Sequence, residues 1–230
     1  MAVKNYHSIS IKSGSATLEI SGNPDKDVHD ARHSFVDPTA SLAGIIELGK
    51  KVYIGPFVRV EAKVPYRVKL TGEDNLQDNV SIFVSTRDTT IGEQTSVAHG
   101  AQIINSTLGH FVFIGFNAFI ENSVIEDGAM ILHGARVIGV TIPKDRIVPP
   151  GSIVTSEDQT KFLLPVEEAN IEFKEEVISV NIELASGYRQ LEPGNPGLNR
   201  VSPNPRTSWN NESESLSLAV KSKFPPTLGL

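Results

Sequence analysis

The sequence predicts an all-β chain with a C-terminal helix: a parallel β-helix of hexapeptide repeats plus one long packed α-helix. Three observations predict it. An apolar residue recurs every six positions, in phased groups of three. A small or β-branched residue usually stands four positions after it. Further on, over residues 166–191, apolar spacing changes to three and four, the period of an amphipathic helix.

The repeat groups are Leu48, Ile54, Val60; Leu70, Leu76, Ile82; Ile91, Val97, Ile103; Leu108, Ile114, Ile120; and Ile125, Ile131, Val137. The small companions are Val52, Val58, Thr95, Ala101, Val112, Ala118, Ala129 and Ala135. A single hexad arises by chance; fifteen in phase do not. Each hexad reads as a short strand and a turn, and three make a triangular coil of about 18 residues. The aliphatic side chain points inward and stacks on its equivalent in the next coil. The small residue fits the corner.

The flanks read differently. Residues 1–34 form a polar N-terminal extension, with short strands expected around Ser8–Lys12 and Ala16–Ile20. Asp37-Pro38-Thr39-Ala40 reads as a first, imperfect coil, and Ile147 to Ile153 as the last coil and its exit. These readings place the β-helix at 35–160. The following segment, 161–191, carries the helix: Phe173, Val177, Val180, Leu184, Tyr188 and Leu191 make a stripe that Ile171, Ile178, Ile182 and Ala185 broaden. A face that wide must be buried, and packing along the β-helix buries it. Residues 192–230 turn to Pro, Ser, Asn and Gly and read as a disordered tail. Leu216, Leu218, Ala219, Val220 and Phe224 mark a short segment within it that could dock on a partner.

Composition narrows the function. Lys and Arg total 21 against 27 Asp and Glu, a formal net charge of −6 with no basic run. No nucleic-acid or anionic-membrane partner is expected. There is no cysteine, which excludes disulfides, Cys-ligated zinc, iron–sulfur clusters and thiol nucleophiles. No apolar run is long enough to span a bilayer, and no apolar leader opens the sequence. A cytoplasmic setting is expected.

The segment Asn75-Leu76-Gln77-Asp78-Asn79-Val80-Ser81-Ile82 resembles the Asn-x-Gln-Asp-Gly-x-x-x-His motif of the γ-class carbonic anhydrases. Val97-Ala98-His99 and Leu108-Gly109-His110 to Phe116 fit the same family. Leu164-Pro165 and Val180-Asn181-Ile182-Glu183-Leu184-Ala185-Ser186-Gly187-Tyr188 are similar to the γ-anhydrase-like N-terminal domain of CcmM-type carboxysome assembly proteins. The likeness covers roughly residues 35–190 and implies a left-handed coil and a homotrimer. It does not cover residues 192–230, and the Rubisco-small-subunit-like repeats usual after that domain do not occur in this sequence.

The resemblance implies three zinc-binding histidines, drawn from two adjacent chains. The first position is Phe83 here, the second is kept as His99, and the third is Ile104. A catalytic zinc needs three protein ligands and an open position for water, so His99 alone is a remnant ligand. The family's arginine and aspartate beside this site become Glu61 and Lys63. Across a subunit interface, the resemblance implies that Glu61 meets Asp78 as a like-charge pair, with Lys63 placed to offset it. The relic site is therefore Glu61, Gln77, Asp78, Phe83, His99 and Ile104. No catalytic residue and no cofactor is assigned.

The other histidines read as structural or solvent-facing. His133 sits at a coil corner and His110 in a turn slot, while His7, His29 and His33 lie in the N-terminal extension. The expected function is a zinc-free, trimeric γ-carbonic-anhydrase-like assembly or binding module. Its expected partners are itself, carboxysome proteins or an active paralogue. Two alternatives stand beside it. One is an active, zinc-dependent carbonic anhydrase using His99 and further ligands. The other is a hexapeptide-repeat acyltransferase with His99 as general base.

Overall fold

In the computed structural model, residues 34–190 are described, together with the backbones of strands Ser8–Ile9 and Thr17–Glu19. His7, His29, His33 and the tail readings lie outside the described residues. The chain winds into a left-handed parallel β-helix with three faces. Among the described residues the faces are sheets of eight, eight and seven strands, the first carrying Leu48, the second Ile54 and the third Val60. Strands of only two to six residues turn at corners too short for a helical crossover. The usual right-handed preference of parallel connections rests on such crossovers and does not apply here.

Register settles the repeat. Leu48, Leu70, Ile91, Leu108, Ile125 and Ile142 pair in one ladder. Ile54, Leu76, Val97, Ile114, Ile131 and Val148 form the second. Val60, Ile82, Ile103, Ile120, Val137 and Val154 form the third. All are buried, as are the small companions Val58, Ala101, Ala118 and Ala135. The last coil uses Ile142, Val148 and Val154 inward, and Ile153 faces out.

The coil length differs from the expected 18. Ile91 pairs with Leu108, so the later coils repeat every 17 residues. The third corner takes the shorter step, with Asn105, Asn122 and Gly139 each at positive φ. In the earlier coils that corner is longer and carries Lys63–Tyr66 and Ser85–Asp88. Asn105 ties the second of these down, its Oδ1 accepting from the N–H of Ser85 at 2.7 Å and of Thr86 at 3.2 Å.

A short helix, Glu157–Thr160, follows the last coil, and a two-residue strand, Leu164–Pro165, pairs antiparallel with Arg146–Val148. The long helix is Glu168–Gln190, against an expected 166–191. It packs on the second sheet. Phe173 and Val177 meet Phe113, Met130 and Ile147 near its start, and Leu184 and Ala185 meet Phe35 and Tyr53 near its end. The buried line is not the purely apolar stripe of the sequence. It runs Lys174, Ile178, Asn181, Ala185, while Val180 and Tyr188 are partly exposed. The polar members of that line are satisfied: Asn181 Nδ2 donates to the Val177 carbonyl one turn earlier at 2.8 Å, and Lys174 donates to two carbonyls of the β-helix.

Candidate functional site

Parallel register brings part of the relic site together. On the outer face of the third sheet, Phe83 stands between Glu61 and Ile104 on adjacent rungs. Glu121 and Ile138 continue the ladder. Adjacent rungs of a parallel sheet lie about 4.8 Å apart, so side chains at 83 and 104 can act on one point. In this chain that point has a phenyl ring and a sec-butyl group. Lys63 Nζ lies 4.9 Å from the centre of the Phe83 ring, a cation–π contact where the resemblance placed an acid and a histidine.

The remaining residues sit one corner earlier. Pro56, Asp78, His99, Phe116, His133 and Pro150 occupy equivalent corner positions in successive coils, since their preceding rungs pair. His99 Nδ1 is 3.8 Å from Asp78 Oδ2, and the two side chains are 52% and 43% exposed. The His99 ring lies 5.5 Å from that of Phe116, which stacks on His133 at 4.6 Å and 11°. Gln77 Nε2 donates to Asn75 Oδ1 at 3.4 Å. Along one chain, then, Phe83, Ile104 and Glu61 are neighbours, and Gln77, Asp78 and His99 form a separate corner group.

The two described corner histidines outside the relic site have a fold-level task. His133 Nδ1 accepts the Phe116 N–H and His110 Nδ1 accepts the Glu93 N–H, both at 3.0 Å. Asp127 does the same for the His110 N–H at 2.8 Å. Each side chain thus stitches one coil to its neighbour. Burial lowers the His133 pKa, which keeps Nδ1 free to accept. Gly115 makes room for this arrangement, because a Cβ there would meet His133 N at 2.7 Å and Nδ1 at 2.8 Å. His110 remains exposed.

A zinc ion would find a poor donor set. Of the three positions that the resemblance assigns to zinc ligands, two hold the carbon side chains of Phe83 and Ile104, and His99 is the one imidazole. No group of three His, Asp or Glu suited to a metal occurs among the described residues. Two buried ionisable residues escaped the sequence reading. Asp74 accepts from the N–H of Gly72 at 2.9 Å and of Thr95 at 3.1 Å. Burial nevertheless pushes its carboxyl up to about 8. Lys174 donates to the carbonyls of Phe111 at 3.1 Å and Gly128 at 2.7 Å. Only its position on a predicted apolar face signalled it. No helix among the described residues is long and apolar enough to cross a membrane.

With that geometry in view, comparison with known proteins is informative. No family model matches the chain. It is 27% identical over 180 residues to a carbonic anhydrase of Methanosarcina thermophila, covering 68% of this chain and 73% of that protein. It is 27% identical over 176 residues to the carboxysome assembly protein CcmM of a Nostoc species. This chain is thus similar to the γ-class carbonic anhydrases and to the N-terminal region of CcmM. The second match covers 70% of this chain but 31% of the CcmM chain. A hexapeptide transferase family protein of Anaplasma phagocytophilum has a similar structure, with a TM-score of 0.55 at 23% identity. That match covers 66% of this chain and 91% of the other, and at such identity it speaks for the fold alone.

Proposed function

We propose that the chain is a trimeric assembly or binding module of γ-carbonic-anhydrase descent, with no catalytic zinc and no CO2 hydration activity. One observation carries the reading: Phe83 and Ile104 stand on adjacent rungs at the two positions where histidines would be needed. An imidazole pair there could converge on an ion; a phenyl and an alkyl group cannot. Glu61 and Lys63 beside them replace the acid–base partners that the resemblance implies, and Lys63 is engaged with the Phe83 ring. One His99 per interface would supply too few donors for the zinc chemistry of the family.

The likeness to CcmM supports a carboxysome setting, with Rubisco, shell or scaffold proteins or an active paralogue as partners. Metal content of untagged protein, purified without chelator, tests the first half of the proposal. Well below one zinc per trimer, with no CO2 hydration above background, is the expected result. Near one tightly held zinc per chain, with hydration lost in His99→Ala, would overturn it in favour of an active anhydrase. Pull-downs with and without residues 192–230 test the second half, and recovery of no carboxysome component would reject that setting.

A further inference from the structure

The second sheet carries an apolar column on its outer face. Phe113, Met130 and Ile147 stand on successive rungs, and the long helix covers them with Phe173 and Val177. The column does not stop at Ile147. Leu164 stands directly opposite it in the added antiparallel rung, and residues opposed in such a pair share a face of the sheet. The helix begins only at Glu168, so its cover ends one rung early and Leu164 is 70% exposed. Phe162, two residues before, is 84% exposed, while Leu163 between them packs on the core. Alternation along an extended chain turns one leucine inward and leaves its two large neighbours bare.

The surface that follows carries one sign of charge. From Phe162 to Tyr188 the sequence holds six Glu and a single cation, Lys174, which is buried against the β-helix. Glu167, Glu168, Glu172 and Glu175 are exposed. The helix dipole favours acids at its start, which accounts for Glu167 and Glu168 but not for the later two. Glu168 and Glu172 stand at i, i+4, and Glu172 and Glu175 at i, i+3, spacings at which like charges repel. Lys161 is bonded to Asp158 at 2.6 Å. A cationic partner would relieve the repulsion, and an apolar one would cover Phe162 and Leu164.

We propose that this surface docks a cationic amphipathic helix of another protein. Its apolar side chains would sit on Phe162 and Leu164, and its Lys or Arg along Glu168, Glu172 and Glu175. Charge complementarity selects a cationic occupant, and a second copy of this chain would set the same acids against themselves. The sheet edge selects a helix over an added strand. Pro165 offers no N–H to a strand, and Gln159 occupies the backbone at the end of the third sheet. Gln159 accepts from the Thr155 N–H at 2.8 Å and donates to the Ile153 carbonyl at 3.3 Å, which blunts that edge. The inference deepens the binding-module reading and rests on it.

The test uses the full chain and a labelled helical peptide of Leu and Lys, ~18 residues or about five turns. Two control peptides replace its Lys by Glu or its Leu by Ser. Fluorescence anisotropy is read at about 0.1 M and about 1 M salt, where the screening length falls from ~10 Å to ~3 Å. The Leu/Lys peptide should bind, more weakly in high salt, and both controls should bind worse. Phe162→Ser with Leu164→Ser should raise the dissociation constant at least about tenfold, the scale of paired apolar anchors. Both positions are exposed, so the urea midpoint should stay that of the wild type. Glu168→Gln with Glu172→Gln should reduce the salt dependence, and this pair decides alone if the serine variant unfolds early. No binding of the Leu/Lys peptide, or binding that neither variant changes, would overturn the inference. Self-association of the wild type that the serine variant loses would overturn it in favour of a second copy. Binding to phosphatidylcholine vesicles that the same variant loses would overturn it in favour of a lipid surface. The zinc assay judges the binding-module reading separately, since no peptide titration depends on metal content.

Discussion

Lys174→Met removes a cation buried between the long helix and the β-helix while keeping most of its stem. Lys174 is 2% exposed, and its ammonium bonds to two backbone carbonyls and caps the Phe111 ring. Its pKa is pushed down from 10.5 to about 8, chiefly by burial, with Asp145 opposing. At roughly 1.4 kcal/mol per tenfold change, keeping the charge costs the folded state about 3.5 kcal/mol near pH 7. Two hydrogen bonds from a charged donor contribute about 1.5–3 kcal/mol each, which offsets that cost or exceeds it by up to about 2.5 kcal/mol. Lys174→Met should therefore lose no more than about 2.5 kcal/mol at pH 7.

The sign of the pH dependence follows from the same shift. The folded chain binds fewer protons than the unfolded one between about 8 and 10.5, so wild-type stability rises with pH across that window. By pH 10 the wild type should gain about 2–3 kcal/mol relative to Lys174→Met, because the neutral amine keeps its carbonyl partners without the desolvation cost. Urea unfolding of both proteins from pH 7 to pH 10, at one chain concentration, measures the gap. Other lysines and tyrosines cancel in the difference. A gap that stays constant or narrows as pH rises would refute the reasoning and show that the ammonium is better solvated than its surroundings imply.

Asp74 predicts the opposite slope. Burial raises its pKa from 3.8 to about 8, so its contribution is full below pH 4 and is lost as pH climbs to 8; stability relative to Asp74→Asn should fall over that range. Ile103→Ala, in the fully buried third ladder, should cost about 2–5 kcal/mol, whereas Gln102→Ala on the exposed face of the same strand should stay within about 0.5 kcal/mol. Phe83→His with Ile104→His should bind close to one zinc per chain, measured by metal analysis after dialysis, and Phe83→His alone should not. Failure of the double variant would mean that His99 does not reach this face from a neighbouring copy.

Much of this was legible from spacing alone, and the reason is physical. In a solenoid each inward residue meets its equivalent one coil away, so hexad phase directly encodes the contact map. That is why Leu48 to Val137 could be assigned to three ladders before any coordinates. It is also why Phe83 and Ile104 could be matched to ligand positions: their register follows from Ile82 and Ile103 beside them. The step between groups was there to read as well. Five residues separate Ile103 from Leu108, and averaging that step into a uniform hexad made the coil one residue too long.

The helix was less transparent. A 3.6-residue stripe says which residues share a face but not what the opposing surface carries. The carbonyls of Phe111 and Gly128 call for Lys174. Those partners lie 46 and 63 residues from Lys174 in sequence. The same holds for Asp74, whose burial depends on the coil stacked above it. Sequence alone determined the cross-section, the ladders and the side-by-side placing of Phe83 and Ile104, because each depends on residues at a fixed local spacing. Tertiary structure decided which polar groups were buried and how the corner histidines stitch the coils. Those outcomes depend on whichever surface the fold brings, or fails to bring, against each side chain.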